Sequence, residues 1–130
     1  MNNSEIVNAF ADWVEPMPWQ WFLTLTFARR VHSITAKNLF GEFIKLFNDK
    51  AIYVLVVEGA KYRRALVHIH CLVGNMPYFS PIQASKLWRK RYGLNVIEPY
   101  NKSLGARYYL GKYLATGIDW DIEVSHLNVS

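Results

Sequence analysis

The segment Val67-His68-Ile69-His70-Cys71-Leu72-Val73 carries two histidines within an otherwise apolar run. Side chains of an extended strand alternate between its two faces, so His68 and His70 share one face, about 6.5–7 Å apart along the backbone. The alternate residues Val67, Ile69, Cys71 and Val73 take the other face, which we expect to pack against helices. Residues 65–73 are therefore predicted to form a strand that presents two imidazoles side by side.

The preceding segment, residues 51–58 (AIYVLVVE), is predicted to be the partner strand because it is apolar on both faces, as central strands are. The short connection between the two segments favours an antiparallel hairpin. Such a hairpin brings Glu58, which ends the apolar strand, near the level of the two histidines. A carboxylate in this position is costly unless a neighbouring charge compensates it, and an exposed strand end is the alternative explanation.

Outside the hairpin, helical and extended patterns alternate along the chain. Helices are predicted at 4–14, 35–48, 80–91 and 103–114, and further strands at 19–27, 94–98 and 118–124. Thr35 and Ser80 are expected to be N-caps, and Asn101 or Ser103 is expected to cap the last helix.

This order of elements predicts an α+β fold in a single domain, residues 1–130, of which residues 1–18 are an N-terminal extension with a short helix. The core of the fold is a central antiparallel β-sheet of about five strands in a split β-α-β arrangement. We expect the helices to pack mainly on one face of the sheet.

Composition limits the classes of function. The chain has 15 Lys and Arg against 10 Asp and Glu, a net charge of +5, which fits an anionic partner such as nucleic acid. Five Trp, eight Tyr and seven Phe exceed what a small core needs, so some rings are expected at the surface. A single cysteine excludes an internal disulfide. Without an apolar run long enough for a membrane span, or a signal-peptide pattern at the start, a cytoplasmic protein is expected.

The last predicted helix contains a tyrosine-rich motif, Tyr108-Tyr109-Leu110-Gly111-Lys112-Tyr113. Tyr109 and Tyr113 are four residues apart, so they project from one helix face in adjacent turns, with Lys112 on the same side. A tyrosine becomes a good nucleophile only when its phenolate is stabilised, which a nearby ammonium group and a metal ion would do. The alternative is an amphipathic helix whose tyrosines pack against the sheet.

The carboxylate and the two imidazoles suggest a metal site. Glu58, His68 and His70 would leave open positions on a divalent cation such as Mn²⁺ or Mg²⁺, which then acts as a Lewis acid. The alternative is three ordinary surface residues near a strand end. Thr24 and Thr26, on the polar face of the first strand, either line this site or only satisfy the sheet surface.

Taken in order, Phe22-Leu23-Thr24-Leu25-Thr26, Glu58, His68-Ile69-His70 and Tyr109-x-x-Lys112-Tyr113 resemble the motifs of the HUH (His–hydrophobic–His) endonuclease superfamily. Within it, the chain is similar to the two-tyrosine replication initiators of rolling-circle phages and plasmids. The resemblance covers roughly residues 20–115. It implies an RRM-like fold and metal-dependent, strand-specific nicking and rejoining of single-stranded DNA.

The resemblance also implies residue roles and partners. Glu58, His68 and His70 would be metal ligands, Tyr109 and Tyr113 nucleophiles that form a 5′-phosphotyrosine and leave a free 3′-OH, and Lys112 their electrostatic support. The substrate would be single-stranded DNA at a replication origin, including a hairpin, in a phage- or plasmid-bearing prokaryote. A separate helicase and a polymerase are expected, and no membrane. The candidate DNA-binding residues are Lys61, Tyr62, Arg63, Arg64, Arg29 and Arg30.

Two alternatives stay open. One is a single-tyrosine transposase of the same superfamily, in which Tyr109 acts and Tyr113 is structural. The other is a non-catalytic nucleic-acid-binding module on an RRM-like sheet. A histidine-triad hydrolase fits less well, because the next alternate position of the strand is Leu72 and not a histidine.

Overall fold

The computed structural model describes residues 3–59, 66–116 and 120–124. The side chains of residues 3–4, 112–116 and 120–124 are outside this description. The elements are α1 (Asn3–Val14), β1 (Trp19–Thr26), α2 (Ser33–Lys45), β2 (Ile52–Glu58), β3 (His68–Gly74), α3 (Pro81–Arg91), β4 (Asn95–Pro99), α4 (Gly105–Thr116) and β5 (Trp120–Val124).

The strands form one open antiparallel sheet in the order β4-β1-β3-β2-β5. The prediction of an α+β fold built on an antiparallel sheet is confirmed. In the predicted hairpin, β2 pairs with β3 so that Glu58 is opposite His68. On the other side of β3, β1 places Thr24 opposite His70. The register therefore aligns polar residues of three adjacent strands at one end of the sheet.

One face of the sheet is covered by α2 and α3, and we call it the α2/α3 face. Its strand residues include Leu23, Leu25, Leu55 and Ile69, all fully buried. The helices contribute large aromatic side chains, among which Trp88 packs edge-to-face on Phe27 and Phe43. The Trp88 indole N–H also donates a hydrogen bond to the backbone oxygen of Thr26, at 2.9 Å. This helix–sheet layer is the larger part of the core.

The opposite face, the α1/α4 face, is covered by helices as well. Val7 and Val14 of α1 and Leu110 of α4 pack in one cluster with Phe22 and Leu72 of the sheet. The prediction that helices pack mainly on one face is therefore wrong. The physical reason lies in β2, where residues 54–57 are all fully buried, since a strand buried on both sides needs helices on both.

Helix caps differ from the sequence prediction at two of three positions. Ser80 caps α3 as expected, accepting a hydrogen bond from the Gln83 N–H. Residue His32, and not Thr35, caps α2: its ring Nδ1 accepts from the Ile34 N–H. At the start of α4, the Ala106 N–H donates to the carboxylate of Glu15, at 2.7 Å.

Glu15 anchors α4 to the end of α1. Its Oε2 atom also accepts a hydrogen bond from the Tyr100 hydroxyl at 3.0 Å. Gly105, the first residue of α4, has φ +82°, and a Cβ atom there would lie 2.5 Å from Glu15 Oε1. Asn101, which was expected to cap the helix, instead closes the preceding turn by accepting from Ser103. The position of α4 over the sheet is thus fixed by a contact between residues far apart in sequence.

Among the described helices, none combines the length and the apolar character that crossing a membrane requires.

Candidate active site

The α1/α4 face is divided along the strand direction into an apolar half and a polar half. Toward the start of β1, Phe22 and the neighbouring Leu72 and Val54 are buried under the helices. Toward the end of β1, the same face carries the polar end, which we define as Thr24, Thr26, Glu58, His68 and His70. The register and the alternation of each strand put these five residues on one side of the sheet.

Glu58 and His70 are in direct contact in the polar end. Their Oε1 and Nε2 atoms are 3.3 Å apart, although Glu58 is opposite His68 and His70 is two residues further along β3. The His70 side chain is 6% exposed, whereas that of Glu58 is 39% exposed. A buried imidazole thus faces a carboxylate that reaches solvent. This pair can share a proton or face one cation from two sides.

His68 is half-buried and lies beside His70 with its ring parallel, at a centroid distance of 6.4 Å and an interplanar angle of 6°. Two ligands of one ion at about 2.1 Å each have donor atoms no more than about 4.2 Å apart. The two rings therefore do not converge on one point in this arrangement. In the described part of the chain, no group of three or more His, Cys, Asp or Glu is close enough to hold a metal ion.

The chemistry of the donor set nevertheless suits a divalent cation. Two imidazoles and a carboxylate from adjacent strands offer nitrogen and oxygen donors, with Glu58 and His70 already together. His68 is opposite Glu58 and adjoins His70 on the same face, so rotation about its side-chain bonds changes how close its ring nitrogens come to the other two donors. The three predicted ligands are therefore neighbours on one face, although within the described residues they are not gathered into one metal-binding group.

Tyr109 is not brought to this group. Its hydroxyl accepts a hydrogen bond from the Asn101 N–H at 2.8 Å and is 3.5 Å from the Pro99 oxygen. Its ring packs on Phe22 and Tyr100 at centroid distances of 5.0 and 5.1 Å. The side chain is 6% exposed.

The register locates this hydroxyl relative to the histidines. Pro99 is opposite Trp21 of β1, and His70 is opposite Thr24, three residues further along the same strand. At about 3.3 Å per residue, the two levels are about 10 Å apart. Tyr109 thus packs in the apolar half of the face, which is the arrangement that the core alternative describes. Its role as a nucleophile stays a prediction.

Most of the other predicted site residues fall where the structure describes no side chains. Lys112 and Tyr113 belong to the second half of α4, where side chains are outside the description. The predicted DNA-binding residues Lys61, Tyr62, Arg63 and Arg64 also fall outside the described residues. Arg29 and Arg30 are exposed in the segment that follows β1.

The two threonines of β1, which the sequence analysis placed either at the site or only on the sheet surface, have different environments in the structure. The Thr26 hydroxyl donates to the Leu94 backbone oxygen at 2.8 Å, so it supports the edge of the sheet. Thr24 makes no side-chain hydrogen bond within the described residues and stands opposite His70. Thr24 is therefore the threonine that lines the polar end.

Sequence reasoning missed two apolar residues beside the polar end. Leu94 and Val96, in and next to edge strand β4, are 67% and 61% exposed. Val96 is opposite Thr24, and by alternation Leu94 and Val96 share the face of the histidines. The signal was available in the alternation of residues 94–98. These side chains offer an apolar shelf next to the polar groups.

Burial raises the pKa values of Cys71 and Tyr100, neither of which belongs to the polar end. Burial raises the pKa of the Cys71 thiol well above its usual value, since the side chain is fully buried on the α2/α3 face. Cys71 is therefore neutral near pH 7 and is not a nucleophile. Burial, followed by the hydrogen bond to Glu15, raises the pKa of Tyr100.

Comparison of the chain with family models, with curated proteins and with solved structures found no match in any of the three.

Proposed function

We propose that this protein cleaves and rejoins single-stranded DNA through a covalent bond between a tyrosine of α4 and a 5′-phosphate, with Glu58, His68 and His70 as ligands of a divalent cation. The observation that carries the proposal is the 3.3 Å contact between Glu58 and the buried His70, with His68 next to them on the same face. A carboxylate at the end of an apolar strand is costly unless a positive charge compensates it, and a bound cation would supply that charge.

We propose that the chain has the RRM-like HUH fold. The sheet order β4-β1-β3-β2, with α2 between β1 and β2 and α3 between β3 and β4, agrees with a split β-α-β unit. In this unit the central strands are β1 and β3, and β3 carries both histidines. The proposal further includes an origin of replication as the substrate, a separate helicase and polymerase as partners, and a phage- or plasmid-bearing prokaryotic cytoplasm as the setting.

The residues of the polar end have separate roles in this proposal. Glu58 and the two imidazoles bind the cation, and Thr24 is positioned to orient a phosphate oxygen beside His70. When bound, Mn²⁺ or Mg²⁺ supplies a Lewis acid that withdraws charge from the phosphate. The exposed Leu94 and Val96 offer a surface on which a sugar or base packs next to the cleaved bond.

Chemically, the proposed reaction is a transesterification. The tyrosine gives up its phenolic proton and its oxygen forms a bond to phosphorus. The bond from phosphorus to the 3′ oxygen breaks, and that oxygen takes up a proton to become a free 3′-OH. Because one phosphodiester replaces another, rejoining needs no ATP. Lys112 is proposed to stabilise the phenolate by its positive charge.

Within α4, we favour Tyr113 as the first nucleophile. Tyr109 already uses its hydroxyl in the apolar half, with Asn101 and Pro99 as partners. The helix contacts β2 and β3, the strands of Glu58 and the histidines, and Tyr113 is one turn beyond Tyr109. A turn of helix advances about 5.4 Å. Strand β5, which follows α4, begins with Trp120 opposite Glu58, so a nucleophile at position 113 needs less rearrangement to reach the polar end than one at 109.

A second candidate function is a non-catalytic module that binds single-stranded nucleic acid. It is favoured by one observation: within the described residues, no three metal-ligating side chains are close enough together to hold a metal ion. On this account the polar end and the apolar shelf bind a strand without cutting it. The two candidates differ in a single product, the covalent adduct.

The test is incubation of the protein with mixed single-stranded oligodeoxynucleotides and Mn²⁺, followed by intact-mass measurement. The proposal predicts a protein species heavier by a DNA fragment, absent in EDTA. Tyr113→Phe is expected to abolish the adduct, whereas Tyr109→Phe retains it. An adduct lost only in Tyr109→Phe would reverse the assignment, and bound oligonucleotide without any adduct would establish the second candidate.

A further inference from the structure

A cavity of about 500 Å³ opens where β1 ends, between α2 and the last turn of α3. Four cationic side chains line it: Arg29, which follows β1, and Arg89, Lys90 and Arg91, which end α3. The apolar wall includes Phe27 and Tyr92, whose rings are 5.6 Å apart. We call this cavity the basic pocket.

Within the described residues, no negative charge balances the four cations of the basic pocket. No acidic residue lines it, and none of its four cations forms an ion pair with another described residue. Cations at a helix C-terminus are stabilised by the helix dipole, which accounts in part for the three residues of α3. Arg29 comes from a different element, however, so the helix dipole does not explain why it joins the cavity.

The basic pocket begins where β1 ends, next along the chain from the polar end and on the α2/α3 side of the sheet. Thr26, the last residue of β1, is opposite His68, and two residues later the Ala28 N–H donates to the Tyr92 oxygen in the pocket wall at 2.8 Å. Gly93 permits this close approach, because a Cβ atom there would lie 2.7 Å from the Thr26 oxygen. A strand that leaves the histidines over the end of β1 therefore meets the pocket within a few nucleotides.

We infer that the basic pocket binds backbone phosphates of the single-stranded DNA that flanks the site of cleavage. The identity of the polymer rests on the proposed function, whereas the anionic character of the ligand rests on the pocket itself. Arginine side chains from two elements grip a phosphate from two directions, and the neighbouring ring of Tyr92 packs along the sugar. This contact holds the substrate in register and contributes nothing to the chemical step.

The first experiment measures binding without cleavage, by fluorescence anisotropy of an oligodeoxynucleotide of about 20 nucleotides in EDTA. Arg29→Gln and Arg91→Gln are each expected to weaken binding roughly three- to tenfold and to reduce the slope of log affinity against log salt by about 0.7. Lys86→Gln is the matched control, because Lys86 is an exposed cation of the same helix that does not line the pocket. Equal losses in the control and pocket variants would overturn the inference.

The second experiment uses the wild-type protein, so its result does not depend on whether a variant folds. Lysine acetylation mapped by mass spectrometry compares Lys90, in the pocket, with Lys86, one turn earlier on α3. The oligodeoxynucleotide is expected to protect Lys90 and to leave Lys86 reactive. Equal modification of Lys90 with and without DNA would contradict the inference, as would protection by an oligoribonucleotide alone.

The two proposals fail in different ways. If the adduct forms with Mn²⁺ but Lys90 is not protected, the basic pocket has no part in binding and the proposed function stands. If Lys90 is protected and the pocket variants bind weakly, but no adduct forms under any condition, the inference stands and the proposed chemistry is wrong.

Discussion

The two faces of the sheet show how one set of strands supports both a core and a site. On the α2/α3 face, the inward residues of the central strands are apolar along their length and, apart from the partly buried Trp21, are buried under two helices. On the α1/α4 face, the same strands are apolar only at one end of the sheet, where Phe22 of β1 is opposite Leu72 of β3. At the other end, polar residues follow Phe22 on β1 and precede Leu72 on β3. A helix covers the apolar half.

The difference shows that the residues that stabilise the fold and the residues of the candidate site occupy different parts of the sheet. Burial of apolar side chains drives folding, and a polar group inside such a layer costs free energy unless it is paired. On a face that changes from apolar to polar along its strands, burial at the apolar end therefore stabilises the fold, and the polar end is free to bind a ligand. The predictions below test this separation.

The largest effect is expected from neighbouring positions on β1 that point to opposite faces. Leu25→Ala empties a fully buried position on the α2/α3 face and is expected to lower the free energy of unfolding by about 2–5 kcal/mol. Thr24→Ala, the adjacent residue on the polar end, is expected to cost under about 1 kcal/mol. Urea denaturation measures both. A Thr24 variant as unstable as the Leu25 variant would show that the polar end is part of the core.

The anchor of α4 gives the next effect. Glu15→Gln weakens the contacts with the Ala106 N–H and the Tyr100 hydroxyl and is expected to lower the free energy of unfolding by about 1–2 kcal/mol. Glu98→Gln, at an exposed carboxylate of β4, is the control and should change stability little. Equal stability of the two variants in thermal denaturation would mean that Glu15 does not hold the helix.

The alkaline limb of stability tests burial on the α2/α3 face. Because burial raises the pKa of Cys71 in the folded chain above the ordinary value of 9.0, its contribution to stability is complete below that pH. Above it, the unfolded thiol ionises and the folded one does not, so stability falls by about 1.4 kcal/mol per pH unit. Cys71→Ala should remove this part of the fall. A variant with the same slope between pH 8 and pH 10, roughly the range of thiol ionisation, would contradict the prediction.

The smallest effect distinguishes two adjacent tyrosines of α4. Tyr109→Phe removes a buried hydroxyl that bonds to Asn101 and is expected to cost about 1 kcal/mol of unfolding free energy. Tyr108→Phe, at a side chain that is 62% exposed, should leave stability unchanged. Denaturation midpoints measure both. If Tyr109→Phe were neutral, the hydroxyl would be available for chemistry and the apolar half would be less closed than described.

Much of this arrangement could be predicted from the sequence. Alternation in β3 put both histidines on one face, and the short hairpin put Glu58 beside them, because period and turn length are local properties. The Ser80-Pro81 pair gave the start of α3 for the same reason. These features depend on residues that are close together in the chain.

The rest depends on contacts between distant residues. The prediction that helices pack mainly on one face was wrong, because the assignment of α1 and α4 to the second face of the sheet depends on tertiary contacts that no local pattern shows. The Glu15–Ala106 contact joins residues 91 positions apart, so no window of sequence contains it. Likewise, the helical spacing of Tyr109 and Tyr113 gave their shared helix face but not the partner of the Tyr109 hydroxyl. Tertiary packing decides these points.

The most direct test of the account is Mn²⁺ binding measured by electron paramagnetic resonance, since it asks whether the polar end is one cation site and needs no DNA. The wild-type chain is expected to bind one ion, and His70→Ala or Glu58→Gln to lose that binding. His32→Asn is the control, because it changes a histidine that caps α2 and retains a capping side chain. Binding that is equal in the wild-type, His70 and Glu58 chains would contradict the central claim.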